Sequence, residues 1–217
     1  MSGTLVHEKV KVRVYDDFLF EDVIGGNVEG AQMLDYGPGP AVLASRLQAA
    51  GAEVDTFDTD PRMQHICAEK LGTNHVLESI EAIRENSYDI VTCNLVLCIN
   101  KKEEVHRICR TIRNAMRRSG NVYIGFCNPL LYNIAETQLD LRQPTGDSYR
   151  KHHTIRKKKI EVPREEYNLY DLHRPISWYT QSFRKAGLEP IATRFTEENE
   201  VKGNRVRDFV IFELEAS

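Results

Sequence analysis

From residue 31 onward, short apolar runs alternate with stretches of helical periodicity, which is the pattern of a layered α/β domain built on a mostly parallel sheet. Residues 31–36 predict the first strand, and the helix after it starts at Pro40, whose fixed φ suits a first helical turn, and ends before Gly51. Residues 53–57 predict the second strand. Asp60 then caps, and Pro61 opens, a helix reaching Leu71. A short third strand is expected at 75–78 and a fourth at 88–93, where Ile90, Val91 and Thr92 are β-branched. Val105, Ile108, Cys109, Ile112 and Met116 fall on one face of a helix that Gly120 stops, and residues 121–126 make a fifth strand. A helix over 175–186 ends at Gly187, and residues 188–195 and 205–214 close the sheet as an antiparallel hairpin at its edge.

Residues 128–174 form a connection far longer than the ~2 to 6 residues usual between a strand and a helix. In open α/β sheets ligands bind beyond the carboxyl ends of the strands, where this connection begins, so it reads as a lid or acceptor pocket. Nearer the N-terminus, Phe18, Leu19, Val23 and Ile24 suit a helix over the site, whereas the alternation of Val10, Val12 and Val14 leaves that stretch open.

With 217 residues, 41% apolar and 28% charged, the chain suits one globular domain over 1–217. No apolar run approaches the ~18 residues of a membrane span, and the first ten residues lack a secretory pattern, so a cytoplasmic protein without membrane association is expected. The five cysteines at 67, 93, 98, 109 and 127 show no Cys-x-x-Cys spacing, and Cys93, Cys98 and Cys109 lie in apolar segments as small buried hydrophobes. The histidines and acids lack ligand spacing, so no metal is expected.

The chemistry concentrates where the first strand turns into its helix. Gly37 and Gly39 in Asp35-Tyr36-Gly37-Pro38-Gly39-Pro40 let the backbone approach a ligand, and Asp58 follows Asp35 by 23 residues, near the ~20-residue spacing of an acid that accepts ribose hydroxyls. An adenosine-containing ligand is implied. The third glycine of a dinucleotide fingerprint would fall at Val42, which disfavours a pyrophosphate and hence a nicotinamide cofactor.

On these residues, together with Tyr88-Asp89-Ile90-Val91, the chain resembles the class I S-adenosylmethionine-dependent methyltransferases. The resemblance runs through most of the chain. It implies a Rossmann-like three-layer α/β sandwich, with a mostly parallel seven-stranded sheet, a C-terminal antiparallel hairpin and the long insertion after strand five. It also implies that S-adenosylmethionine is bound, and left as S-adenosylhomocysteine, by Asp35, Gly37, Gly39, Asp58 and Thr59, with Glu78, Ser79 and Ile80 at the adenine, Asn94 and Leu95 at the methionine moiety, and Tyr15 over the cofactor. Pro38 and Pro40 depart from the small residues usual around the second glycine. Residues 173–177, His-Arg-Pro-Ile-Ser, look like a segment some of these enzymes carry before their last helix, near the acceptor.

Methyl transfer from a positive sulfur gains much of its rate from alignment, and a hydroxyl or amine acceptor also needs a proton removed. His173 is the expected base, and His152, His153, Tyr167, Tyr170 and Arg174 are candidate acceptor contacts. The preferred acceptor is a small molecule, and the run Arg150–Lys159, with six fixed positive charges in ten residues, suits an anionic one. Two alternatives follow: a nucleic-acid methyltransferase using residues 150–159, or a non-catalytic protein that binds the cofactor, since fold and cofactor site do not establish turnover. A monomer or homodimer is expected.

Overall fold

The computed structural model describes residues 11–133, 149–151, 153–161, 165–201 and 203–217. Strand β1 (Gln32–Tyr36) lies between β2 (Glu53–Phe57) and β3 (Tyr88–Asn94), and β3 pairs on its other side with β4 (Met116–Cys127), all four parallel. Strand β10 (Phe209–Ala216) runs antiparallel to β4 and to β7 (Leu188–Phe195), giving the order β2-β1-β3-β4-β10-β7. The closing hairpin therefore contributes one edge strand and one interior strand. The run Phe209-Val210-Ile211-Phe212 dictates which is which, because all four are buried while β7 is largely half-buried or exposed.

Alternation along β1 sends Met33 to one face of the sheet and Leu34 to the other, and each face has its own core. On the Met33 side lie Leu43 and Leu47 of α1 (Val42–Ala49), Cys67 and Leu71 of α2 (Pro61–Leu71), and Leu19. On the Leu34 side lie Val105, Ile108 and Ile112 of α3 (Lys102–Ala115) with Tyr179 and Phe183 of α4 (Ile176–Lys185). The result is the expected Rossmann-like three-layer sandwich. Helix α2 keeps its predicted ends: Pro61 opens it and the Asp60 carboxylate accepts the Arg62 N–H at 2.9 Å, a cap worth about 1 kcal/mol.

Three expectations are corrected. Among the described residues the sheet has six strands, not seven, because the stretch expected as the third makes one bridge, Val76 to Thr56, and turns away after the Leu77 N–H reaches the Thr56 carbonyl. Helix α3 stops at Ala115, before Gly120: Met116 is buried and pairs with Tyr88, and Gly120 lies against the Tyr88 and Asp89 carbonyls, where a Cβ would approach to 2.9 Å. Helix α1 begins at Val42 rather than Pro40, since Ala41 is held in the left-handed region at φ 54°.

The N-terminal segment is helical from Lys11, in wide turns over Lys11–Asp16 and Leu19–Val23, so Val12 and Val14 lie in a helical turn and not in a strand, while Val10 lies outside the described residues. It packs on α1, where Arg46 pairs with Asp17 and Glu21 and its guanidinium lies 4.5 Å above the Phe20 ring. Within the long insertion, β5 (His153–Glu161) and β6 (Glu165–His173) form a separate antiparallel hairpin, and β6 packs against the turn Leu97–Ile99 that follows β3. A small hairpin of β8 (Asn199–Val201) and β9 (Asn204–Val206) extends the β7–β10 connection.

Candidate cofactor and acceptor site

The carboxyl ends of β1, β2, β3 and β4 lie side by side, and Asp35, Gly37, Asp58, Asn94 and Leu95 stand at or just beyond the ends of the first three. Between β1 and α1 the backbone takes positive φ at alternate positions, Gly37 (75°), Gly39 (54°) and Ala41 (54°), with the two prolines between them. A Cβ on Gly37 would overlap the Val96 side chain, so the loop presses onto the segment after β3; a Cβ on Gly39 would meet nothing within 4 Å. Gly37 is thus required by packing, and Gly39 leaves its backbone open to a ligand.

The donors of this loop are already engaged. The Gly37 N–H bonds the Phe57 carbonyl at 2.8 Å, the Ala41 N–H bonds the Pro38 carbonyl at 3.1 Å, the Gly39 N–H bonds the Asp58 carboxylate, and prolines have none. A pyrophosphate needs a row of outward N–H groups, which this loop does not offer. The reading of Val42 against a dinucleotide thus gains a structural reason.

Asp58 stands at the end of β2, partly buried, and accepts the Asp60 N–H at 2.9 Å in addition to those of Gly39 and Thr59. Burial raises its pKa above the ordinary aspartate value, and the three N–H bonds only partly offset that. Asp35 is buried at the end of β1 and accepts the Thr92 hydroxyl at 2.7 Å. Thr59, Glu78 and Ser79 are exposed; Ile80 is half-buried against the core beside Leu77. The Ser79 hydroxyl hydrogen-bonds the Glu81 carboxylate and, after Glu81's own N–H, helps hold that group below its usual pKa.

Tyr15 comes from the N-terminal helical segment and is fully buried, with its hydroxyl donating to the Asn94 side-chain carbonyl and its ring 5.0 Å from Phe209. Burial pushes its pKa well above the usual tyrosine value, so the hydroxyl stays a donor. It fits because residue 125 is glycine: a Cβ there would lie 2.8 Å from Tyr15 Cζ and closer still to the hydroxyl. Leu95 follows at φ 60°, rare for a side-chain-bearing residue, with its N–H on the Gly125 carbonyl at 2.8 Å.

His173 is buried at the base of the β5–β6 hairpin, its Nε2 on the Tyr149 carbonyl at 2.9 Å and its ring 5.5 Å from that of Tyr149. A carbonyl only accepts, so Nε2 carries the hydrogen and Nδ1 is the atom able to take a proton. Arg174, among the expected acceptor contacts, is engaged within the fold. Its buried guanidinium donates to the carbonyls of Leu97 at 3.2 Å and Asn100 at 2.6 Å, and stacks 4.6 Å over Trp178. His152 lies outside the described residues; for His153, Tyr167 and Tyr170 the register alone is described, opposite His173, Lys159 and Arg156. Sequence reading missed Thr92, taken only as a strand former, and Gly125, although a glycine between Ile124 and Phe126 in a strand is a sign of close approach.

Residues 34–124 match the family model of a methyltransferase domain. No curated protein matches the sequence. Among solved structures, an S-adenosylmethionine-dependent methyltransferase from Clostridium acetobutylicum superposes with a TM-score of 0.69 at 11% identity, covering 98% of this chain and 97% of the other. The chain thus carries a methyltransferase domain over residues 34–124. The 1,6-didemethyltoxoflavin-N1-methyltransferase of Burkholderia thailandensis, solved with 1,6-didemethyltoxoflavin and S-adenosylhomocysteine, matches at TM-score 0.61 and 13% identity over 93% of this chain and 76% of itself. The CcbJ methyltransferase of Streptomyces caelestis does so at 0.62 and 15% over 89% and 86%. At such identities the likenesses speak for the fold. No helix among the described residues is long and apolar enough to cross a membrane.

Proposed function

We propose that this chain transfers a methyl group from S-adenosylmethionine to a hydroxyl or amine of a small acceptor, with residues 1–217 acting as one cytoplasmic domain. The observation that carries the reading is the glycine loop, which is open at Gly39 and closed to a pyrophosphate, beside an acid at the end of β2. The residues fit the cofactor: Asp58 would accept the ribose hydroxyls, the loop of Gly37 and Gly39, open at Gly39, would admit the amino-acid end beside Asp35, and Glu78, Ser79 and Ile80 would line the adenine with Thr59 nearby.

S-adenosylmethionine supplies a methyl group on a positively charged sulfur, which leaves the protein the tasks of alignment and proton removal. Tyr15 fixes the Asn94 side chain, and Leu95 turns the chain away at the end of β3, so both stand still at the transfer point. His173 takes the acceptor's proton at Nδ1. The hairpin that ends in His173 covers the acceptor, and the basic run Arg150–Lys159, with His152, His153, Tyr167 and Tyr170, favours an anionic group on it. The small acceptor bound by the Burkholderia neighbour supports this size class.

Calorimetric titration tests the reading. S-adenosylmethionine should bind saturably and a reduced nicotinamide cofactor should not, and Asp58→Ala should weaken the former. Nicotinamide binding, with no S-adenosylmethionine binding, would refute it. Turnover on screened acceptors should then fall in His173→Ala.

A further inference from the structure

Among the residues whose burial is described, Arg174 is the one buried arginine, yet nothing in the transfer of a methyl group calls for it. It leaves the last residue of the acceptor hairpin, is 4% exposed, and bridges two carbonyls of the segment after β3, with Trp178 beneath it. That segment is the cofactor edge itself. Its first residues are Asn94 and the left-handed Leu95; Val96 packs on Gly37; the Asn100 amide closes back on the Val96 carbonyl at 2.9 Å. Held at 95 by Gly125 and at 97 and 100 by Arg174, the segment has its two ends fixed by different parts of the fold.

We infer that Arg174 is a positioning residue: it couples the acceptor hairpin to the cofactor site by holding residues 95–100 in the conformation that presses Val96 onto the glycine loop. This rests on the cofactor reading above. Coupling between two sites is reciprocal, so if Arg174 links the hairpin to the cofactor site, filling that site is expected to alter the surroundings of Arg174. Trp178, the single tryptophan of the chain, lies against the guanidinium and reports them.

The test is titration of the full chain with S-adenosylhomocysteine, followed by calorimetry and tryptophan emission. In Arg174→Met the Kd should rise about 3- to 30-fold, the range over which packed networks modulate coupling. Arg174→Lys, which keeps the charge but not the fork that spans two carbonyls, should fall between and serves if the methionine variant does not fold. Arg113→Met is the control, since Arg113 also donates to a single-chain carbonyl, that of Gly187 at 3.1 Å, but at the opposite end of α3. It should lower the melting temperature without changing the Kd. Saturation should shift Trp178 emission in the unsubstituted protein and not in Arg174→Met. Equal affinities, an equal loss in Arg113→Met, or an emission indifferent to bound ligand would overturn the inference alone. No binding by the unsubstituted protein would overturn the cofactor reading with it.

Discussion

Replacing Asp58 separates binding from stability, because the fold and the ligand make opposite demands on its carboxylate. In the free protein burial raises its pKa, so ionisation is less favourable folded than unfolded. The sign follows: stability associated with this group is fully present below the unfolded pKa and declines as pH rises through the folded one. At neutral pH a neutral isostere is therefore tolerated, and Asp58→Asn should melt at or above the temperature of the unsubstituted protein. Binding runs the other way. Ribose hydroxyls donating to a charged acceptor contribute about 1.5–3 kcal/mol, so Asp58→Ala should weaken S-adenosylhomocysteine by about 10- to 150-fold. Asp58→Asn, which keeps one neutral acceptor oxygen, should lie between. Calorimetry against S-adenosylhomocysteine and a thermal melt of the free proteins measure both. Unchanged affinity in Asp58→Ala would refute the ribose role, and a lower melting temperature in Asp58→Asn would refute the account of the carboxylate's burial.

The same shift predicts a pH effect: the affinity of the unsubstituted protein should begin to fall at a pH above the ordinary aspartate range, and the Asp58→Asn variant should lack that fall in a pH series of titrations. Gly39→Ala should fold with a loss of about 1–2 kcal/mol for its left-handed backbone and bind cofactor poorly, while Gly37→Ala, which drives a methyl into Val96, should be the less stable of the two by thermal melting. Gly125→Ala should displace Tyr15 from Asn94, detectable as protease sensitivity of the N-terminal segment that the unsubstituted protein lacks. Tyr15→Phe removes only the hydroxyl and should be destabilised by about 1–3 kcal/mol in chemical denaturation.

Much of the fold was legible because local rules and tertiary structure agree. Asp60 and Pro61 start α2 wherever that segment is placed, and the apolar stripe Val105, Ile108, Cys109 and Ile112 has only one way to face a sheet. Asp35, Gly37, Gly39 and Asp58 could be singled out because their spacing follows the length of one strand, one turn and one helix. The failures share a cause as well. Residues 75–78 carry too little apolar character to compete for a full strand partner, and Met116 leaves its helix because Tyr88 offers a strand partner that helical periodicity along the chain does not reveal.

The sequence by itself determined the layered architecture, the βαβ unit and the acid beyond it, since each depends on residues near one another in the chain. Only the tertiary structure decided what Tyr15, Gly125 and Arg174 do. Tyr15 meets Asn94 across 79 positions, and Arg174 meets Leu97 across 77. Contacts so distant in sequence leave no periodicity or spacing to read, because they exist only once the sheet has brought its carboxyl ends together.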